Sequence, residues 1–323
     1  MVVGKKPHLV NLVSEMDEAM LRRQEPATQF KFVYSKEPVE ADWHVMYDRI
    51  DEILVPNITS RCLFMVAEPP ELRRYDTSVL SRYGSVISAP FRYMRRLNNL
   101  RAATGLLPWR VGIAMENHNP SVRMTRDDFM TLAPPTSDTV SVVTSQKALT
   151  KYQVSRLRLI DHLSARIPEM QVFGRDTNLV ADKADALRAS KYHLALENCQ
   201  QNGFWTEKLS DPILMEAVTF YSGHNGWESD FAKNGGILDI NVEKPETVYE
   251  TIRKSLDSDY YSQVRSSLVA NKEKVMTSRN VHGAIAHVLA SVQAFEKVKS
   301  QETFFPKQRT RKERLIPLPR RRG

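Results

Sequence analysis

Residues 192–223 read YHLALENCQQNGFWTEKLSDPILMEAVTFYSG, and the fold is decided there. The apolar run at 192–196 has the length of a buried strand, 206–217 has helical spacing, and 219–221 is a second short strand. Glu197 and Asn198 close the first strand, and Thr206 is placed to cap the helix that follows. A strand, a loop and a helix in that order form part of a parallel β-α-β unit. Its loop therefore lies beyond a strand's C-terminal end, where such sheets bind ligands.

The same alternation continues upstream. A strand at 139–144, a helix near 154–167, a strand at 171–173 and a short helix near 182–189 predict a parallel sheet with helices on both faces, with ligand loops opening at Ser145, Gly174 and Glu197. Residues 245–299 have helix-like apolar spacing, and no segment repeats at a fixed period. Nearer the start, β-rich runs at 30–35, 43–47, 62–67 and 85–89 are separated by polar and proline-bearing stretches. TLAPPTSD at 131–138 suits neither helix nor central strand and reads as a linker. The expected division is a domain at 1–135, a second at 136–300 and a basic, proline-containing tail at 301–323.

The 323 residues of the chain fit two domains of about 150 residues each. Hydrophobic residues at 41% and charged residues at 26% give a globular balance rather than a disordered one. No apolar run reaches the length of about 18 residues that spans a bilayer, and MVVGKKPHLV lacks a signal-peptide core, so the cytoplasm is expected. Cys62 and Cys199 form no CxxC pair and are expected to be free thiols. The net charge of +8 is concentrated: residues 306–323 alone carry +7, leaving a nearly neutral body. Nucleic acid is therefore not an expected partner of the body.

The helix start at Thr206 carries the most chemistry. Free N–H groups and the helix dipole favour phosphate there, and Lys208 adds a point charge suited to a diphosphate. Glu207 beside it can accept hydrogen bonds from ribose hydroxyls, as acidic residues do in dinucleotide sites. A glutamate in a first helical turn is also favourable by a few tenths to about 1 kcal/mol without any ligand. Arg156 and Arg158 offer the forked donors that phosphate accepts, although two solvated charges on an amphipathic helix are the commoner outcome of that spacing.

ENCQQNGFWTEK, followed by a small-residue helix and FYSG, resembles the donor-binding signature of the family-ten α1,3-fucosyltransferases. That signature reads approximately F-E-N-S, a short variable interval, then Y-[VI]-T-E-K, and the interval from Glu197–Asn198 to Thr206–Glu207–Lys208 matches without insertion. SVVTS, Arg156–Leu157–Arg158 and VFGR at 172–175 are similar to the family's strand–Ser, R-x-R and Y/F-G-R blocks. The resemblance covers the whole second domain. It implies that Arg156, with Arg158 in its block, meets the donor diphosphate, that Lys208 meets the other phosphate, and that Glu207 and Asn198 meet the ribose or sugar. By the same likeness Ser145 and Thr206 border the nucleotide, and His193 stands where an aromatic residue lies near the base or nucleoside.

In the first half, FMVAEPPELRRY at 64–75 resembles the family's strand ending in E-x-P, so Glu68 corresponds to the general base. An inverting transfer needs such a carboxylate to take the acceptor's proton. The alternatives are Glu71, or a Glu68 that pairs with Arg73 or Arg74. Cys199 in place of Ser, His193, and Thr219 in place of a proline depart from the pattern and bear on which sugar is carried.

The resemblance implies an α/β chain of glycosyltransferase-B fold, two Rossmann-like domains with the active site in the cleft between them. The implied activity is inverting α1,3-fucosyl transfer from GDP-β-L-fucose to a lipopolysaccharide or other surface oligosaccharide. The alternatives are transfer of another GDP-linked sugar, or a silent glycan- or membrane-binding protein of the same fold. A GDP-sugar and an oligosaccharide are the expected partners, with no obligatory metal: Asp257–Asp259 reads as surface and no HExxH or Cys/His cluster occurs. No GxSxG elbow, Walker loop or GxGxxG is present to support a hydrolase, kinase or dehydrogenase. The tail at 304–322 mixes Phe304, Phe305, Leu315, Ile316 and Leu318 with clustered arginines. That mixture suits an anionic membrane, while its prolines suit a disordered basic tail equally well. Trp43, Trp109 and Trp227 are either acceptor platforms or core residues.

Overall fold

The structure is a computed structural model that describes residues 8–48, 61–116, 119–146, 148–174, 178–223, 225–232 and 234–292. Arg175 and the whole basic tail, including the membrane contact expected at 304–322, lie outside the described residues.

Two all-parallel sheets organise the chain. The first contains β1 (His8–Val13), β2 (Phe30–Ser35), β3 (Trp43–Tyr47), β4 (Cys62–Met65), β5 (Ser85–Ser88) and β6 (Leu100–Ala102), in the order β2-β1-β3-β4-β5-β6. A small antiparallel hairpin, β7 (Ile113–Glu116) and β8 (Asn119–Val122), follows. The second sheet contains β9 (Ser137–Thr144), β10 (Met170–Gly174), β11 (Ser190–Leu196), β12 (Val218–Ser222) and β13 (Ile237–Asp239), in the order β10-β9-β11-β12-β13. Central strands such as CLFM and VTFYS are buried along their whole length, as strands covered on both faces must be. In both sheets the first crossover runs one way and the later ones run the other. The order therefore reverses at β1/β3 and again at β9/β11, the crevice position of doubly wound folds.

The helices are α1 (Glu18–Arg22), α2 (Thr77–Leu80), α3 (Arg126–Met130), α4 (Lys151–Ser164), α5 (Lys183–Leu187), α6 (Glu207–Leu214), α7 (Pro245–Asp257), α8 (Tyr260–Thr277) and α9 (Val281–Ser291). The helix expected over 206–217 stops at Leu214, because the chain turns through Glu216 at φ 57°. That carboxylate is held by Lys272 at 2.8 Å and by Arg265. No helix among the described residues is long and apolar enough to cross a membrane.

Residues 132–136 are irregular and join α3 to β9, as the prolines there require. Packing crosses that junction in both directions. Trp109, Val111, Met124 and Phe129 share a core with Trp205, Leu209 and Ile213 beside the second sheet. In return, Val281, Ala284, Ile285, Val288 and Leu289 of α9 fill the core of the first sheet alongside Val10, Leu12 and Trp43.

His282 anchors α9 in that core. It is fully buried, its Nε2 lies 2.8 Å from the Tyr34 hydroxyl, and that hydroxyl donates to Glu25 at 2.8 Å. Burial pushes the imidazole down to about 3. The folded chain therefore keeps His282 neutral where the unfolded chain, at about 6.5, takes up a proton. This contribution to stability is complete above about pH 6.5 and is lost progressively between 6.5 and 3. His282→Gln should reduce the slope of unfolding free energy against pH by up to about 1.4 kcal/mol per pH unit in that window. Urea titrations at several pH values check this; an unchanged slope contradicts it.

Candidate active site

The C-terminal ends of the strands from both sheets open onto one cleft of about 680 Å³. Glu68, Leu72 and Arg110 line it from the first sheet's side, and Tyr152, Asn198, Thr206, Glu207 and Lys208 line it from the second. It sits at the β9/β11 reversal, where the topology directs a ligand.

The loop that follows β11 is built around Glu197. Its carboxylate is buried at the end of β11 and accepts from the Thr206 N–H at 2.9 Å, the Thr206 hydroxyl at 2.7 Å and the Tyr221 hydroxyl at 3.2 Å. Residues 198–205 are thereby pinched into a closed loop, and α6 begins at a fixed point. The Thr206 hydroxyl also accepts from the Lys208 N–H at 3.2 Å, the N-cap bond expected from the sequence. Glu197 and Thr206 are thus committed to each other. Burial raises the Glu197 carboxyl and Lys208 opposes that shift.

Lys208 and Glu207 project into the cleft from the first turn of α6, with their charged atoms 2.9 Å apart. Lys183 reaches the same Glu207 oxygen at 3.6 Å and Asp211 at 2.8 Å. Burial acts to raise Glu207, but Lys208 and Lys183 outweigh it and hold the carboxyl well below the usual range. Burial likewise acts to lower the Lys208 ammonium, and Glu207 and Glu197 more than compensate, so it stays charged.

Arg156 sits behind the residues that line the cleft. It is 2% exposed, rises from α4 beneath the loop, and donates to Asn198 Oδ1 at 2.7 Å and to the Glu197 carbonyl at 3.3 Å. It holds Asn198 from below, while Asn198 faces the cleft. Arg158 is exposed, two residues further along α4, and Ser145 is half-buried just past β9; neither lines the cleft. His193 lies within β11, its Nδ1 2.9 Å from the Ser141 hydroxyl, and burial pushes it down to about 3. It borders a separate space of about 20 Å³ behind Lys183 and Lys208.

Opposite that loop, Glu68 follows β4 and lines the cleft. Burial raises its pKa, and the negative charges of Asp48 and Glu207 raise it further. Arg73 does not pair with it as the sequence allowed: the guanidinium donates to Asp48 at 3.0 Å, and Arg74 lies over the Tyr93 ring at 4.8 Å. Asp48 also accepts from the Ala67 N–H at 3.2 Å and the Tyr75 hydroxyl at 2.7 Å, which fixes the backbone that carries Glu68. Glu71 accepts from Gln201 of the loop after β11. Burial, followed by Glu71 and Glu197, pushes the Cys199 thiol up to about 12. Trp43, Trp109 and Trp227 are buried core residues.

Arg110 was not singled out in the sequence. Its N–H and that of Val111 donate to Asp211 of α6 at 2.9 and 3.1 Å, which sets its side chain at the cleft and within electrostatic reach of Glu207. Among the described residues it makes no ion pair. Neither spacing nor a motif marks it, since its partner is 101 residues away.

No protein-family model and no curated protein matches this chain by sequence. Among solved structures, a crystal structure of an α1,3-fucosyltransferase is similar at 14% identity and a TM-score of 0.50, over 82% of this chain and 82% of that one. The crystal structure of a glycosyltransferase from Rickettsia africae ESF-5 is similar at 11% identity and a TM-score of 0.50, over 89% of this chain and 98% of that one. The likeness is one of fold: two parallel α/β sheets facing one cleft, the glycosyltransferase-B architecture.

Proposed function

We propose that the chain transfers a sugar from a GDP-linked donor to a hydroxyl of a glycan, with inversion at the anomeric carbon. The observation that carries this reading is the arrangement of the cleft: a carboxylate of raised basicity, Glu68, faces a Lys208–Glu207 pair at a helix N-terminus across the reversal point of a doubly wound sheet. The Glu-Asn to Thr-Glu-Lys spacing supports GDP as the nucleotide, and the resemblance to family-ten enzymes supports L-fucose as the sugar.

In this reading Glu68 removes the proton from the acceptor hydroxyl as its oxygen attacks the anomeric carbon. The bond to the diphosphate breaks, and GDP departs with the bonding electrons. Lys208 and Arg110 offset the charge that develops on the leaving oxygen, one from each side of the cleft. Asn198, positioned by Arg156, and Glu207 hold the ribose or sugar hydroxyls. The reading calls on no metal, and the acceptor is an oligosaccharide entering from the first sheet's side.

Lys208→Ala and Arg110→Ala should each weaken GDP binding by about tenfold or more, the scale of a charge-assisted hydrogen bond. Calorimetry checks this, and GDP binding that is absent in the parent chain removes the reading altogether. Glu68→Gln should leave GDP affinity close to that of the parent while turnover falls roughly a hundredfold or more. Because its folded pKa is raised, kcat/KM should decline on acidification at a pH above the ordinary glutamate value of 4.5. Full activity in Glu68→Gln at neutral pH refutes the base assignment.

A further inference from the structure

Lys183 is not among the residues that line the cleft, yet it reaches the carboxylate that Lys208 holds. It opens α5 directly after Asp182, whose carboxylate caps that helix through the Ala184 N–H at 2.8 Å. Ala184 and Leu187 of α5 are buried in the core that contains Leu209 of α6, which fixes the base of the lysine beside that helix. The first turn of a helix favours acids, so the helix dipole gives Lys183 no reason to be there. Its ammonium supplies the reason, lying 2.8 Å from Asp211 Oδ2 and 3.6 Å from Glu207 Oε1.

Glu207 Oε1 is therefore shared between a lysine in front and a lysine behind. Lys208 lines the cleft, whereas Lys183 lines the space of about 20 Å³ behind it, with His193 and Pro212. A space of that size holds about one water molecule, so Lys183 acts on a ligand of the cleft only through its neighbours. Asp211 leaves it available to Glu207, because the other Asp211 oxygen already accepts the N–H groups of Arg110 and Val111.

An anion that takes Lys208 deprives Glu207 of its nearer partner. The Glu207 side chain is 18% exposed, and an ionised carboxylate so enclosed without a cation is costly. Glu68 across the cleft and Glu197 at the end of β11 add repulsion, and Arg110, the other cation facing Glu207, borders the same space that the anion enters. Lys183 stays behind, out of the anion's reach. We infer that Lys183 is a positioning residue that keeps Glu207 ionised and in place while Lys208 passes to a bound diphosphate, a role that rests on the reading of the cleft as a GDP-sugar site. Glu207 then leans on the rear lysine, and the front one is released without leaving a bare carboxylate in the wall of the cleft.

Calorimetry of the full chain with GDP and with inorganic pyrophosphate tests this. Lys183→Met should weaken both roughly tenfold, while Lys183→Arg should stay within about threefold of the parent. In Glu207→Gln no carboxylate holds Lys208, so adding Lys183→Met to it should cost pyrophosphate binding at most about threefold. The direct pull of the Lys183 charge on the anion is present in both backgrounds, so the difference between the two losses reports the coupling to Glu207. A lysine that only supports Asp211 gives equal losses in both, and that result overturns the proposal. Proton uptake, read from the heats in buffers of different ionisation enthalpy, gives a second measure. With Lys183→Met, burial and the bound anion raise Glu207, so binding at mildly acidic pH should take up as much as about one proton more than in the parent, and affinity should fall as pH rises. That excess should vanish in Lys183→Met/Glu207→Gln, and its absence from Lys183→Met overturns the proposal. If Lys183→Met does not fold, the parent is compared with Glu207→Gln: equal proton uptake is expected, because Glu207 stays ionised in the complex, and greater uptake by the parent overturns the proposal. A parent that binds pyrophosphate but not GDP removes the nucleotide reading alone, and the same comparisons then decide the role of Lys183 on pyrophosphate. A parent that binds neither removes both.

Discussion

Much of the site depends on Asp211. A carboxylate 1% exposed inside α6 is costly unless every lone pair is used, and here one oxygen takes two main-chain N–H groups from residues 110 and 111 while the other takes Lys183. The bond network ties the strand-to-hairpin passage of the first sheet to α6, whose first turn lines the cleft. Asp182 repeats the device one residue further along, accepting from the Gly112 N–H and from the Ala184 N–H, both at 2.8 Å. Two aspartates thus fix where Arg110 stands relative to Lys208.

The cleft is consequently not cationic: Glu68, Glu71, Glu197 and Glu207 line it with Arg110 and Lys208. Each lysine near it is matched by a carboxylate, and Glu207 is shared between two of them. Any anion entering such a place competes with Glu207 for Lys208, and Arg110, on the other side, donates to the Met20 sulfur at 3.4 Å. Pairing Glu207 with two lysines limits the repulsion among these carboxylates in a half-buried setting, where like charges are weakly screened.

The strand and helix order of the second sheet was legible in residues 192–223 and their upstream neighbours, because buried parallel strands and capped helices leave strong local patterns. That Glu68, Asn198, Glu207 and Lys208 reach the cleft was legible for the same reason: each ends a strand or opens a helix. The roles that depend on burial were not. Arg156 carries a motif that suggests phosphate, yet its α4 position lies under the loop, and a side chain's depth is a tertiary fact. Glu197 reads as one half of a signature and proves to be the clamp that shapes the loop. Arg110, Asp48 and Lys183 were invisible because the contacts that give them meaning join residues 25 to 101 positions apart.

Phe204 belongs to the loop after β11 but sits in the aromatic core of the first sheet, among Phe64, Phe91 and Tyr83. Gly203, at φ 64°, brings the backbone close enough to Pro90 that a Cβ there would lie 3.1 Å from its ring. The chain returns the favour through α9. Neither half is therefore an interchangeable cassette. A chimera joined at residues 132–136 would carry one plug without its socket and one socket without its plug, so a new second half grafted here must bring a matching aromatic and a matching last helix, or the first half must be recut to receive them.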